Sequence, residues 1–220
     1  MRILFQGDSI TDGNRYKDEE HRWDLNHQIG HSYAFIVSGL MGLEYARMNM
    51  EFVNRGISGN TSRDLLRRWQ QDATEINPDI LSVLVGINDC CSEGENHVEP
   101  CEYETNLLRM LEQSFERNTR LRVFLLEPFF LPTKGVYERD SGLWRERLSE
   151  YSGVCRKIAL ADSRIHFIPL QNVFDTACEQ RECAYWIWDG VHPTESGHAL
   201  IAREWIKAFE KDFAEILHNK

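Results

Sequence analysis

Short apolar runs alternate along this chain with longer segments whose apolar residues recur at helical spacing. Ile3-Leu4-Phe5 opens as a buried strand, and Phe52-Val53-Asn54 reads as a second. Ile80 to Val85 is the most strand-like run. It lacks polar alternation, as a central parallel strand covered on both faces should. Val123 to Leu126, ended by Glu127-Pro128, and Ile165 to Ile168, ended by Pro169, complete five strands. Between them, Ser32 to Met41 predicts a helix ending near Gly42. Leu65, Leu66, Trp69, Ala73 and Ile76 fall on one helical face that Asn77-Pro78 stops. Further helices are predicted from Tyr103, Leu107, Leu111 and Phe115, and from Leu148, Tyr151, Cys155 and Ile158. A short one runs from Val173 to Gln180, and a long last one from Ala199 to Phe213. Asn14 to Gln28 reads as a long polar loop, of the kind that often carries function inside a compact domain.

Strands that alternate with helices predict a three-layer α/β/α sandwich on a five-stranded parallel sheet. No repeat, low-complexity tract or linker interrupts the pattern, so one domain over residues 1–220 is expected. In such sheets ligands bind beyond the carboxyl ends of the strands. Ser9, Gly59 and Asn88 each follow a predicted strand and are therefore expected at one sheet edge.

Composition narrows the partners. A formal net charge of −10 argues against general nucleic-acid binding. No apolar run approaches membrane-spanning length and the first residues enter a strand directly, so a soluble, cytoplasmic protein is expected. The cysteines, Cys90, Cys91, Cys101, Cys155, Cys178 and Cys183, lack the spacing of a zinc site and are read as reduced packing residues. No cofactor or metal is expected; an ion held by Asp8, Asp12 and Asp89 has no ligand spacing to support it.

The candidate chemistry is nucleophilic. A serine nucleophile needs a base, a group that orients the base, and donors for the oxyanion. Asp189 and His192 lie in one loop, where a turn can bring the carboxylate against the imidazole. The backbone N–H groups of Ser9 and Gly59 and the side-chain amide of Asn88 are candidate oxyanion donors. Asp8 is expected to brace the turn before Ser9, and Asp12 and Asp89 to fix loops. His198 is read as a helix-start residue near the site, not as the base, because only His192 has an acid three residues before it in the loop.

Gly7-Asp8-Ser9, Gly56-Ile57-Ser58-Gly59-Asn60, Gly86-Ile87-Asn88-Asp89 and Asp189-Gly190-Val191-His192-Pro193 resemble, in order and spacing, the four sequence blocks of the SGNH (GDSL-type) hydrolases. The resemblance implies a flavodoxin-like fold and metal-free ester hydrolysis by Ser9, His192 and Asp189, with Ser9, Gly59 and Asn88 as the oxyanion hole. Asn54-Arg55 before the second block, Arg63-Asp64-Leu65 and Arg68-Trp69 after it, and Trp188 before Asp189 are similar to carbohydrate acetylesterases, acetylxylan esterases especially. A small acylated carbohydrate, such as a xylo-oligosaccharide, is the substrate this implies, and homo-oligomers are common among such relatives. Cys90-Cys91 stands where an aromatic residue is expected, which leaves that wall of the site open.

Substrate contacts are expected from Asp8, Trp23, Trp186 and Trp188. Trp186 fits sugar stacking and loop packing equally, whereas Trp188 is read as packing its loop against the core. A thioesterase or lysophospholipase, or another small-acyl esterase, is the alternative within the same chemistry. A non-catalytic carbohydrate-binding protein is the alternative outside it.

Overall fold

A computed structural model describes residues 1–17, 28–133 and 141–213. Trp23, and most of the polar loop around it, lies outside the described residues. Five strands form one parallel sheet: β1 (Arg2–Gly7), β2 (Glu51–Asn54), β3 (Ile80–Leu84), β4 (Arg122–Leu126) and β5 (Ile165–Ile168), in the order β2-β1-β3-β4-β5. Every residue of β3 is buried, Ser82 included, which accounts for its lack of polar alternation.

Helices cover both faces. α1 (Ser9–Asp12) follows β1, α2 (Tyr33–Glu44) precedes β2, and α3 (Ser62–Trp69) follows β2 and continues through one wider turn to Thr74. α4 (Ile87–Cys91) and α5 (Pro100–Arg117) follow β3, and α6 (Ser141–Ala161) precedes β5. α7 (Gln171–Cys178), α8 (Cys183–Trp186) and α9 (Glu195–Asp212) close the described chain.

Side chains alternate across a strand, so Phe5 and Gln6 report opposite faces of β1. The ring of Phe5 meets Tyr33 of α2 and Trp205 of α9 at 5.8 and 5.7 Å. Gln6 instead bonds the Asp72 carbonyl and the Arg68 guanidinium of the α3 segment. α2 and α9 therefore form one outer layer, and α3, α5 and α6, packed in series, form the other. The aromatic side chains of Trp69, Trp205, Tyr33 and Phe124 are fully buried. Trp205 donates to Ser82 Oγ at 3.1 Å, and Trp69 to Ser114 Oγ at 3.0 Å, so neither indole nitrogen is left unpaired. This is the α/β/α sandwich expected from the sequence. Strand order reverses at the β1/β3 boundary, which is where such sheets open a crevice for ligand.

Candidate active site

Three loops and one distant turn meet at that crevice. The first begins at Gly7. A Cβ there would lie 2.2 Å from the Leu84 carbonyl and 2.4 Å from Thr11 Oγ1, so only glycine lets β1, β3 and the next turn close this tightly. Asp8 then caps α1: its Oδ1 accepts from the Ile10 amide at 2.9 Å, and its carbonyl accepts from Thr11 and Asp12. Ser9 is thus the first residue of a short helix, not a residue of an open turn, and its amide belongs to the set that a helix leaves without an internal acceptor.

Asp12 ties this helix to the second loop. Its Oδ2 accepts from the Ser58 amide at 2.9 Å, its Oδ1 accepts from the Arg15 amide, and Lys17 pairs with it at 2.9 Å. Arg15 reaches the Gly56 carbonyl, and Asn54 clasps the Thr11 and Ile29 carbonyls while accepting from the Gly56 amide. Gly59 sits at the tip with φ +81°, a conformation that favours glycine, and a Cβ on it would meet open space. Among the described residues no acceptor takes the amide of Ser9 or of Gly59.

Asn88 lies in α4, past the end of β3. Its Nδ2 donates to the Asn60 carbonyl at 3.0 Å. That bond fixes the amide plane and, among the described residues, leaves its second hydrogen uncommitted. Asp89 fastens the same two loops from beneath: its carboxylate accepts from the Ser62 amide at 2.9 Å and the Ser62 hydroxyl at 2.5 Å. Asn106 donates to the same hydroxyl. Burial pushes the Asp89 carboxyl up to about 6, and the Ser62 bonds restrain that rise. The expected loop-fixing parts of Asp12 and Asp89 are visible in these bonds.

The fourth segment carries Asp189 and His192. An antiparallel bridge between Ile187 and Pro193, with the Trp188 amide on the His192 carbonyl, pinches it into a closed turn. Asp189 Oδ1 accepts from the Val191 and His192 amides at 2.9 and 2.7 Å, and its Oδ2 lies 2.6 Å from His192 Nδ1. His192 Nε2 lies 2.9 Å from Ser9 Oγ. The Asp189 bond raises the His192 pKa against the opposing effect of burial, with a further contribution from Asp8. Burial pushes Asp189 up, but the imidazole and the two amides outweigh it and hold the carboxyl below its ordinary value.

Ser9, His192 and Asp189 therefore form one hydrogen-bonded line, and Asn88 is tied to the loop of Gly59 through the Asn60 carbonyl. His198 is elsewhere: its Nδ1 accepts from the Tyr33 amide, and burial lowers its pKa to about 4.

The substrate-side expectations change. Asp8 is fully buried, so it makes no surface for a ligand. Its Oδ2 has no hydrogen-bond partner among the described residues, and burial raises its pKa to about 7. Trp186 donates its indole N–H to the Ala177 carbonyl at 3.0 Å and packs on the core, which favours the packing reading. Trp188, expected to pack inward, is 61% exposed and stacks on the His192 ring, with centroids 5.9 Å apart at 22°. Trp186 ends α8, whereas Trp188 lies within the closed turn beside His192. Nothing in their sequence spacing announces this, because the turn has no periodicity. Sequence reasoning also missed the part of the Asn60 carbonyl, a backbone group that no side-chain pattern reveals.

A profile of the GDSL-like Lipase/Acylhydrolase family matches residues 5–200. The chain belongs to that family. This GDSL hydrolase is 32% identical over 213 residues to an acetylxylan esterase of Geobacillus stearothermophilus, covering 94% of this chain and 92% of the relative. The crystal structure of a putative GDSL-like lipase from Parabacteroides merdae superimposes with a TM-score of 0.84, at 33% identity over 94% of both chains. The G. stearothermophilus acetylxylan esterase structure gives a TM-score of 0.80 at 31% identity, covering 94% of this chain and 93% of that one. An isoamyl acetate-hydrolyzing esterase of Saccharomyces cerevisiae is 26% identical over 76% of this chain and 71% of its own. The protein is a carboxylic ester hydrolase.

Proposed function

We propose that this GDSL hydrolase removes O-acetyl groups from a small carbohydrate, in the first instance a xylo-oligosaccharide, through an acetyl-enzyme on Ser9. The observation that carries the reading is the unbroken line from Asp189 through His192 to Ser9, at 2.6 and 2.9 Å.

In this mechanism Asp189 holds the ring proton on Nδ1, so Nε2 presents its lone pair to the Ser9 hydroxyl. As Oγ attacks the acetyl carbon, its proton passes to Nε2. The imidazolium so formed is stabilised by Asp189, whose carboxylate is kept ionised by its three donors. The carbonyl oxygen becomes an oxyanion and is met by the amides of Ser9 and Gly59 and the remaining N–H of Asn88. Collapse expels the sugar hydroxyl, which takes the proton from Nε2. Water then enters, gives a proton to His192 and attacks the acetyl-serine; acetate leaves and the hydroxyl of Ser9 is restored.

The sugar is supported by two facts: the relationship to an acetylxylan esterase over nearly the whole chain, and the exposed Trp188 ring beside His192. An indole face suits the C–H face of a pyranose. A short alkyl acetate is the second reading, supported by the yeast relative. Acetate release from acetylated xylo-oligosaccharide, isoamyl acetate and a long-chain acyl thioester separates the readings. We expect the first to have the highest kcat/KM, and expect Trp188→Ala to raise its KM about tenfold, a loss on the scale of one apolar contact, while p-nitrophenyl acetate is little affected. Preference for the long-chain thioester would overturn the acetyl-sugar reading.

A further inference from the structure

The last turn of α3 (Ser62–Trp69) carries two adjacent arginines in different settings. The Arg67 side chain is 74% exposed and pairs with Asp64 at 3.1 Å. The Arg68 side chain is only 16% exposed, and its guanidinium donates to five acceptors. A guanidinium presents its N–H donors in one rigid plane, and burying it is costly unless they are met. Two of the acceptors hold the cation itself: Asp72 Oδ2 at 3.0 Å, in the wider turn after α3, and Gln6 Oε1 at 3.0 Å, on β1. The other three belong to the loops of the site. They are the Gly7 carbonyl at 3.4 Å, the Arg55 carbonyl at 2.8 Å and Asn60 Oδ1 at 2.8 Å. Gly7 leads into Asp8 and Ser9, and Asn60 follows Gly59.

Asn60 passes the restraint on. Arg68 Nε holds its side chain, while its own carbonyl receives Asn88 Nδ2 at 3.0 Å. Its amide bonds the Ile57 carbonyl at 3.1 Å and closes the turn that contains Gly59. A glycine at φ +81° gives that turn little stiffness of its own, so an external hold matters. From these bonds we propose that Arg68 is a positioning residue for the oxyanion hole: by fixing Asn60 it fixes the amide of Asn88. Its bonds to the Gly7 and Arg55 carbonyls set the same loop against the turn that bears Ser9. This role rests on the mechanism proposed above, and it adds a residue that touches neither substrate nor triad. A lysine could still pair with Asp72, but its ammonium lacks the planar fork that spans acceptors on separate loops.

Steady-state hydrolysis of p-nitrophenyl acetate by Arg68→Met, Arg68→Lys, Asn88→Ala and the double variant of Arg68→Met with Asn88→Ala tests this. Arg67→Met controls for the loss of a charge from the same helix, and melting curves keep every assay below unfolding. Arg68→Met and Arg68→Lys should each lower kcat about 10²-fold, the scale of a small misplacement near the reacting atoms. KM should change little, as for an interaction made in the transition state, and Arg67→Met should match the wild type. The double variant should keep about tenfold more kcat than the two losses multiplied would leave, because the amide that Arg68 positions is already gone. Multiplicative losses, or wild-type kcat in Arg68→Lys, would overturn the positioning role and leave the oxyanion hole standing. Wild-type kcat in Asn88→Ala would overturn the hole itself, and the positioning role with it. Should Arg68→Met fail to fold, Asn60→Ala removes only the side-chain acceptor of Arg68 Nε. It should show a fall in kcat in the same direction and the same coupling to Asn88, and full activity there would overturn the proposal.

Discussion

Replacing Asp189 with asparagine isolates the proton that the proposed mechanism depends on. Asp189 Oδ1 accepts from two backbone amides at 2.9 and 2.7 Å, while Oδ2 faces His192 Nδ1 at 2.6 Å. An asparagine keeps its oxygen on the two amides, because they have no other acceptor in the turn. Its NH₂ must then face Nδ1. The imidazole can answer only by accepting there, which moves the ring proton to Nε2. That nitrogen, 2.9 Å from Ser9 Oγ, becomes a donor and no longer takes the serine proton. The loop survives, but the base is lost. A wrong tautomer of this kind costs about 10⁴-fold in kcat, or about 5.5 kcal/mol of transition-state stabilisation. Steady-state hydrolysis of p-nitrophenyl acetate between mildly acidic and alkaline pH reads it directly, with thermal melting to confirm the fold. A loss under tenfold, with the wild-type pH profile retained, would refute the assignment of Asp189 and His192.

Other outcomes follow from the same geometry. Asn88→Ala removes one donor from the oxyanion hole and should lower kcat about 10²- to 10³-fold; equal kcat in the variant would remove Asn88 from the hole. Activity should fall on the acid side as His192 is protonated, and the Asp189 bond places that limb above the ordinary histidine value. Because the folded-state pKa of His192 is raised, the stability it contributes is present below the unfolded value and lost as pH rises through the folded one. The enzyme is thus most active where that contribution has gone, and a melting profile identical to that of His192→Ala at every pH would contradict this. Asp8 has the same sign: its folded value of about 7 against an ordinary 3.8 makes its ionisation destabilising. Asp8→Asn keeps the cap to Ile10 and should gain on the wild type by about 4 kcal/mol as pH rises across that interval, which denaturant melts at both ends would measure.

Much of this architecture is legible in the chain before any coordinates. Parallel strands covered by helices read as mostly apolar runs without polar alternation, so β1, β3, β4 and β5 mark themselves, and residues just after them must share one edge. That logic brings Ser9, Gly59 and Asn88 together. Asp189 and His192 are legible for a different reason: close spacing in a turn suffices for an acid to hold an imidazole. Smaller devices escape. α1 and α4 are too short for a periodic signal, so Ser9 and Asn88 read as turn residues although both are helical. The tryptophans at 186 and 188 differ by a loop closure that depends on the Ile187–Pro193 bridge, a contact no local pattern encodes. Asp8 reads as a turn brace, and its cap bears that out. Its complete burial, which withdraws it from any substrate, has no signal in the local sequence.

The central claim is that Ser9 Oγ forms a covalent bond to the acyl group. Acid-quenched enzyme in rapid turnover of an activated acetate ester, digested and read by mass spectrometry, tests it at the atom concerned. An acetyl group on the peptide bearing Ser9, formed and lost at rates consistent with turnover and absent from Ser9→Ala, is the predicted result. Wild-type turnover by Ser9→Ala, or an acetyl group found on another residue that turns over at the catalytic rate, would contradict it.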